Sequence, residues 1–184
     1  MQDLPKNFGL KRLRGALEKI PGRRIAVDIG AHKGIWTKVL MEEFDQVYSF
    51  EPIEDNFKFL HEINPYSYRV ALGDHNGSCS FKSGENTGQY HIDGFYGEYR
   101  ITTLDEFHFD EVDFIKIDVE GYENHTIIGS IETIERCKPA ILLEDNGLTI
   151  RYGVTSKELE YTMENLGYEK VASFQDDDLW LYSQ

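Results

Sequence analysis

Five short segments put carboxylates and glycines where they could do chemistry: Asp28-x-Gly30-x-x-x-Gly34, Glu51-Pro52, Gly73-Asp74, Asp118-x-Glu120-Gly121 and Glu144-Asp145. Each follows a short apolar run. In an open parallel sheet, ligands bind beyond the carboxyl ends of the strands. A glycine-rich loop that opens a helix lets backbone approach a ligand closely. The first loop lacks the G-x-G-x-x-G spacing needed for pyrophosphate, because its second glycine follows the first by four residues. It also lacks the Gly-Lys-Ser/Thr of a phosphate-binding loop. Glu51 ends the next apolar run, 21 residues after Gly30, where an acidic side chain can accept hydrogen bonds from ribose hydroxyls. The pattern points to a nucleoside ligand without a pyrophosphate.

The elements that must carry these residues are legible in the hydrophobic spacing. Leu10, Leu13, Leu17 and Ile20 recur at helical steps inside an N-terminal segment, residues 1–22, that Pro21-Gly22 closes. Arg24 to Ile29 reads as a buried strand, Ile35 to Phe44 as a helix, and Val47 to Phe50 as a second strand. A helix carrying Phe57, Leu60 and Ile63 follows, then a third strand from Tyr68 to Leu72. This alternation predicts a parallel sheet with helices on both faces. Residues 75–110 read as a hairpin or extended insertion before the fourth strand, with an aromatic tip (Tyr90, His91, Phe95, Tyr96, Tyr99) and glycines that include Gly84 and Gly88. Val112 to Val119 is the next strand. One helix carries Ile127, Ile128, Ile131 and Ile134, and Ala140 to Leu143 is a further strand. Thr155-Ser156-Lys157-Glu158 is a capping box. Residues 168–174 and 179–182 pair as a closing hairpin.

Composition bounds the function. The 184 residues suit one domain, residues 1–184. At 40% hydrophobic and 13% aromatic the chain is too apolar for disorder. No uninterrupted apolar run exceeds four residues, against the roughly 20 of a membrane span, so no span is expected. Two isolated cysteines, Cys79 and Cys137, make neither a disulfide framework nor a zinc site, and no secretory signal is visible, so a cytoplasmic location is expected. The net charge is −14, and residues 1–24, with seven basic and two acidic residues, leave −19 on the remainder. Such a surface repels a phosphate backbone, and no nucleic-acid partner is expected. The basic stretch reads as a solvated helix face. The oligomeric state is left open.

Several segments together resemble the FkbM family of S-adenosylmethionine-dependent methyltransferases. They are Val27 to Gly34, Phe50-Glu51-Pro52 with Asn56-Phe57, Val70 to Asp74, Thr103-Leu104-Asp105, Asp113 to Glu123, and Lys138 to Glu144, in the family's order. The resemblance implies an α/β, Rossmann-like class I methyltransferase: a seven-stranded, mostly parallel sheet with helices on both faces and the last strand antiparallel. It implies S-adenosylmethionine as cofactor and a hydroxyl on a carbohydrate or small metabolite as acceptor. By the same resemblance the cofactor contacts are Asp28, Gly30, Ala31, His32, Gly34, Glu51, Pro52, Ala71, Leu72 and Asp118. Gly30 and Gly34 would line the methionine part. Glu51 would hold the ribose. Ala71, Leu72 or Asp74 would border the adenine, and Asp118 would sit near the sulfonium.

Methyl transfer to oxygen needs an aligned acceptor and a group that takes its proton. Asp118, Glu120 and His125 are the assigned catalytic residues, with Glu144 and His91 as further candidate bases. Strand alternation puts Lys116, Asp118 and Glu120 on one side. A buried Lys116 needs a carboxylate partner, Asp118 or Asp28. Asp118, Glu120 and Glu144 could instead hold a divalent cation; the base role is preferred and no metal ligand is assigned. Two alternatives stand beside this reading: a nicotinamide-dependent oxidoreductase, which the missing third glycine disfavours, and a nucleoside-binding module with no chemistry.

Overall fold

The computed structural model describes residues 9–83 and 90–183. Lys6 of the basic stretch and Gly84 and Gly88 of the hairpin lie outside the described residues. The main sheet has seven strands: β1 (Ile25–Ile29), β2 (Gln46–Phe50), β3 (Ser67–Tyr68), β7 (Phe114–Ile117), β8 (Ala140–Glu144), β9 (Tyr168–Phe174) and β10 (Asp177–Tyr182). Their spatial order is β3-β2-β1-β7-β8-β10-β9, with β10 antiparallel to both neighbours. The chain steps outward from β1 through β2 to β3, then returns to build β7 and β8 on the other side. The reversal falls between β1 and β7, where Asp28 is in register with Lys116. A crevice opens at such a point.

Alternation along the central strands gives the sheet two apolar faces. Val27, Ile29, Ile115, Ile117, Ile141 and Leu143 pack into one core cluster, together with Ile127 and Met163. Ala26, Phe114, Ala140 and Leu142 pack into the other, against Leu13 and Leu17 of α1 (Leu10–Leu17) and Val39 and Leu40 of α2 (Ile35–Glu43). Burying each Val, Leu, Ile, Phe or Met side chain among these is worth about 1.5–3 kcal/mol. Asp28 and Lys116 share the α1/α2 face, so two charges sit inside an otherwise apolar layer and must satisfy each other.

A second sheet of three strands has the order β4-β6-β5, with β4 (Ala71–Leu72), β5 (Gly77–Ser83) and β6 (Tyr90–Thr102). Three expectations are corrected here. The single strand from Tyr68 to Leu72 is two strands. The chain leaves β3 at Arg69-Val70, and Ala71-Leu72 pairs with Ile101-Thr102 of the second sheet. The aromatic tip is instead part of β6, which runs antiparallel to β5 with register shifts at Cys79/Ser80 and Ser80/Phe81. The one helix after Gly121 is two, α4 (Glu123–Ile128) and α5 (Ile131–Cys137). The break falls at Gly129, whose absent Cβ would lie 1.8 Å from the Gly73 carbonyl oxygen. Between β2 and β3 runs α3 (Glu54–Ile63). The capping box forms as read: Thr155 Oγ1 accepts from the Glu158 N–H and Glu158 returns the bond, opening α6 (Ser156–Asn165).

Candidate active site

Beyond the carboxyl ends of β1, β2, β7 and β8 lies a cavity of about 630 Å³, a size usual for small-molecule sites. Four of the five sequence segments reach its wall. Gly30, Ala31 and His32 come from the loop after β1, and Glu51 and Pro52 follow β2. Asp118 and Glu120 follow β7, and Glu144 ends β8. Ala71 and Leu72 of the second sheet also line it.

The loop after β1 is held by backbone. The N–H groups of Gly30 and Ala31 both donate to the Phe50 carbonyl at 3.0 Å. Gly30 has φ +75°, and a Cβ there would lie 1.8 Å from the Asp118 carbonyl oxygen. Only glycine allows the loops after β1 and β7 to touch in this way. Gly34 also has positive φ and packs on Leu60 and Ile63, away from the cavity.

Glu51 is 5% exposed. Its Oε2 accepts from the His32 N–H at 2.9 Å and its Oε1 from the Ile53 N–H at 2.8 Å. The Asn56 side chain is a third hydrogen-bond donor to this carboxylate, so of its roughly four acceptor positions one is left for a ligand hydroxyl. Burial pushes the carboxyl up to about 7, with the backbone hydrogen bonds opposing.

Lys116 is 4% exposed, as expected for a central strand. Its Nζ lies 3.3 Å from Asp118 Oδ2 and 3.5 Å from Asp28 Oδ1, and donates to the carbonyls of Gly30 and Ile29 at 3.1 and 3.4 Å. The ring of Trp36 lies 5.4 Å away. Burial alone would discharge this ammonium; Asp118 and Asp28 outweigh it and hold it above the usual lysine range. Asp28 is fully buried, accepts from Thr37 Oγ1 at 2.6 Å, and does not reach the cavity wall. The lysine thus joins the β1 loop, Asp28 and Asp118 into one charged unit.

The expected strand from Val112 to Val119 ends at Ile117. Asp118 and Glu120 therefore stand on a turn, and the strand alternation that placed them on one side does not apply. Glu120 takes φ +57° and Gly121 φ +105°. The turn is nevertheless fixed. Glu123 is 1% exposed, and its Oε1 accepts from the N–H groups of Val119 and Gly121 at 3.1 and 3.0 Å. Arg151 donates to the Glu120 carbonyl at 2.8 Å. Burial, with Asp118 adjacent, pushes Glu120 up to about 7. Glu144 rises further, from burial first and then Asp118, Glu123 and Glu120. Among the described residues no three His, Cys, Asp or Glu side chains are grouped to hold a metal ion, so Asp118, Glu120 and Glu144 do not converge as a ligand set.

His125 lies behind this wall. Its ring stacks on Tyr122 at 4.3 Å, and burial holds the imidazole below its ordinary value. Tyr122, not His125, lines the cavity. His91 is half-buried on β6 and also outside the lining.

Other lining residues carried no functional signal in the sequence. Phe81, Tyr90 and Ile92 of the β5–β6 hairpin line the cavity. So do Arg12 of α1, Trp36 of α2, and Gln175 and Asp176 of the β9–β10 turn. Trp36 shows in the sequence only as part of the helical period from Ile35 to Phe44, and Arg12 as part of a solvated basic helix face. Glu123 was visible only as part of the segment from Asp113, and its inward fold onto the turn had no spacing signature.

The family model for the methyltransferase FkbM domain matches residues 28–170. Comparison with curated proteins returned no match. Among solved structures, the fold is similar to methyltransferase FkbM from Methylobacillus flagellatus, with a TM-score of 0.57 and 18% identity over 87% of this chain and 44% of that one. The present chain thus spans less than half of that protein's length. A putative type 11 methyltransferase from Sulfolobus solfataricus superposes with a TM-score of 0.53 and 14% identity over 100% of this chain and 95% of that one. Magnesium protoporphyrin IX methyltransferase from Synechocystis, solved with bound S-adenosylmethionine, gives 0.52 and 12% over 98% and 86%. At these identities the likeness is one of fold.

Proposed function

The chain belongs to the methyltransferase FkbM domain family, and from that premise we propose that it transfers the methyl group of S-adenosylmethionine to a hydroxyl on a carbohydrate or other small metabolite. The residues present fit the cofactor. Glu51 keeps acceptor capacity for a ribose hydroxyl after its two backbone bonds and its bond from Asn56 are counted. Gly30 lets the loop after β1 lie directly against the Asp118 carbonyl, where any side chain would collide. Ala71, Leu72 and Tyr122 offer an apolar berth for an adenine.

When bound, S-adenosylmethionine supplies a methyl group already activated as a sulfonium. The chain's own work is then to place and deprotonate the acceptor. Asp118, held by Lys116, is fixed in position beside the Gly30 loop. Glu120, raised to about 7, is matched to accepting a hydroxyl proton near neutral pH. Glu123 keeps both on one rigid turn. His125, screened by Tyr122, is left without direct access to an acceptor.

The observation that carries the reading is that Glu51 and the Asp118–Glu120 pair face one cavity across the β1–β7 crevice. It supports a hydroxyl acceptor because carboxylate bases suit oxygen. The test is incubation with methyl-labelled S-adenosylmethionine and a panel of sugars and hydroxylated metabolites, alongside calorimetry with S-adenosylhomocysteine. Label on oxygen is the expected result. Label on nitrogen or carbon alone would replace the acceptor assignment, and absence of S-adenosylhomocysteine binding would remove the cofactor assignment.

A further inference from the structure

Tyr152 closes the 3-10 helix Leu148–Tyr152 that follows β8, and it stands behind the cavity wall. Its hydroxyl donates to the Ile92 carbonyl at 2.8 Å. Its ring meets the Tyr122 ring edge-on, with centroids 4.9 Å apart. Ile92 and Tyr122 both line the cavity, one from β6 and one from the start of α4. They share an apolar cluster with Ala71, against which Phe81, Val119 and Tyr152 pack. Burial pushes the Tyr152 hydroxyl up to about 12, so it stays a donor to Ile92.

This strut has a fixed foot. The Leu148 carbonyl oxygen lies 2.6 Å from where a Cβ on Gly121 would stand, so the 3-10 helix bears directly on the turn that carries Asp118 and Glu120. Arg151 grips the same turn through the Glu120 carbonyl at 2.8 Å. The hairpin it supports is less well held by its own sheet. Among the described residues, β4 pairs with β6 at Ile101 and Thr102 alone, well beyond Ile92 along the strand. Nearer the cavity β5 and β6 form a two-stranded ribbon with register shifts on either side of Ser80. Such a ribbon is marginal without outside support, so the ladder alone does not set where Phe81 and Ile92 stand. Their spacing matters to a flat ligand, because a gap of about 0.5–1 Å forfeits a quarter to a half of each dispersion contact.

We propose that Tyr152 is a positioning residue: seated on the Asp118–Gly121 turn, it holds the β5–β6 hairpin against Tyr122, so that Phe81 and Ile92 close on the flat base of the methyl donor. The proposal rests on the methyltransferase reading above, and its test separates the two. S-Adenosylhomocysteine binding to the wild-type chain is measured first, by calorimetry; if it fails, the donor assignment falls and takes this proposal with it. In the complex, NMR shows NOEs from the adenine protons to the Ile92 methyl groups and the Phe81 ring. Tyr152→Phe keeps the ring contact with Tyr122 and removes one hydrogen bond. It weakens S-adenosylhomocysteine by about three- to tenfold and diminishes those NOEs. 5′-Methylthioadenosine, which keeps the base and ribose but lacks the amino-acid part, is weakened by the same factor. A Tyr152 that served only the fold would lower the melting temperature and leave the NOEs and both affinities where they were. That result overturns the proposal, as does absence of the NOEs in the wild-type complex or a loss confined to S-adenosylhomocysteine, while the donor assignment stands in each case.

Discussion

The two ends of the cavity are built on opposite principles. At the end formed by the loops after β1 and β2, the buried carboxylate of Glu51 is satisfied by two backbone N–H groups and the Asn56 side chain. At the end formed by the loops after β7, β8 and β9, carboxylates outnumber the cations left to answer them, and side chains rather than backbone hold the charge. A site of the first kind is preorganised for one unchanging ligand. A site of the second kind is left electrostatically incomplete, so that a ligand or a proton finishes it. The division matches a protein that always binds the same donor and selects its acceptor separately.

That contrast can be broken at several points. The largest effect is expected at Asp118. Asp118→Asn keeps shape and removes charge, so single-turnover methyl transfer falls by about 10²–10⁴-fold while S-adenosylhomocysteine still binds in calorimetry. Equal loss of binding and turnover would move Asp118 to the donor end. Next comes Lys116, which ties the ends together. Lys116→Ala leaves buried Asp28 facing an empty position, at a cost of about 3–5 kcal/mol, and thermal denaturation should show a drop of about 6–20 °C. A melt within a degree of wild type would mean that Asp28 and Asp118 do not depend on it.

Glu51 gives a smaller and more diagnostic change. Glu51→Ala weakens S-adenosylhomocysteine binding about tenfold, through loss of charge-assisted bonds of roughly 1.5–3 kcal/mol. Its pH dependence has a definite sign. Burial raises the folded carboxyl to about 7, so the folded state holds a proton that the unfolded chain has already released. This group's contribution therefore favours the fold at low pH and turns against it as pH rises through about 4.5 to 7. Ribose hydroxyls donate to the ionised form, so donor affinity should rise from pH 6 to pH 8 with proton release on binding, and Glu51→Gln should abolish that release. Calorimetry in buffers of different ionisation enthalpy reads it directly. The smallest change is expected at His125, where His125→Ala costs less than about tenfold in turnover because a group screened from the acceptor contributes less than the 10²–10⁴-fold of a working base. A dead His125→Ala beside an active Asp118→Asn would reverse the assignment.

Much of the donor end was legible because it follows chain order. The loop after β1, Glu51 after β2 and the buried Lys116 are each fixed by where an apolar run stops. The acceptor end was less so. Whether Asp118 lies on a strand or a turn is decided by Glu123 folding back onto Val119 and Gly121, a contact that hydrophobic period does not encode. The strand from Tyr68 to Leu72 looked continuous because Val70, Ala71 and Leu72 are apolar, yet apolarity does not say which sheet supplies the partner. Register shifts near Ser80 break the alternation that would have shown Phe81 facing a ligand. Arg12 and Asp176 are far from β7 in sequence, and only the antiparallel return of β10 brings Asp176 to the same wall.

The contact between Gly30 and the Asp118 carbonyl has a mechanical consequence. The two loops bear on each other backbone to backbone, like parts fitted without a gasket. The separation between the proposed donor berth and the turn proposed to accept the proton is therefore a machined tolerance, set by backbone and not by side-chain rotamers. A methyl group inserted there acts as a shim. Gly30→Ala must lever one loop off the other, lengthening the path the transferred methyl travels even if each loop still binds its own ligand. The stroke of the reaction can be changed only by rebuilding both loops at once.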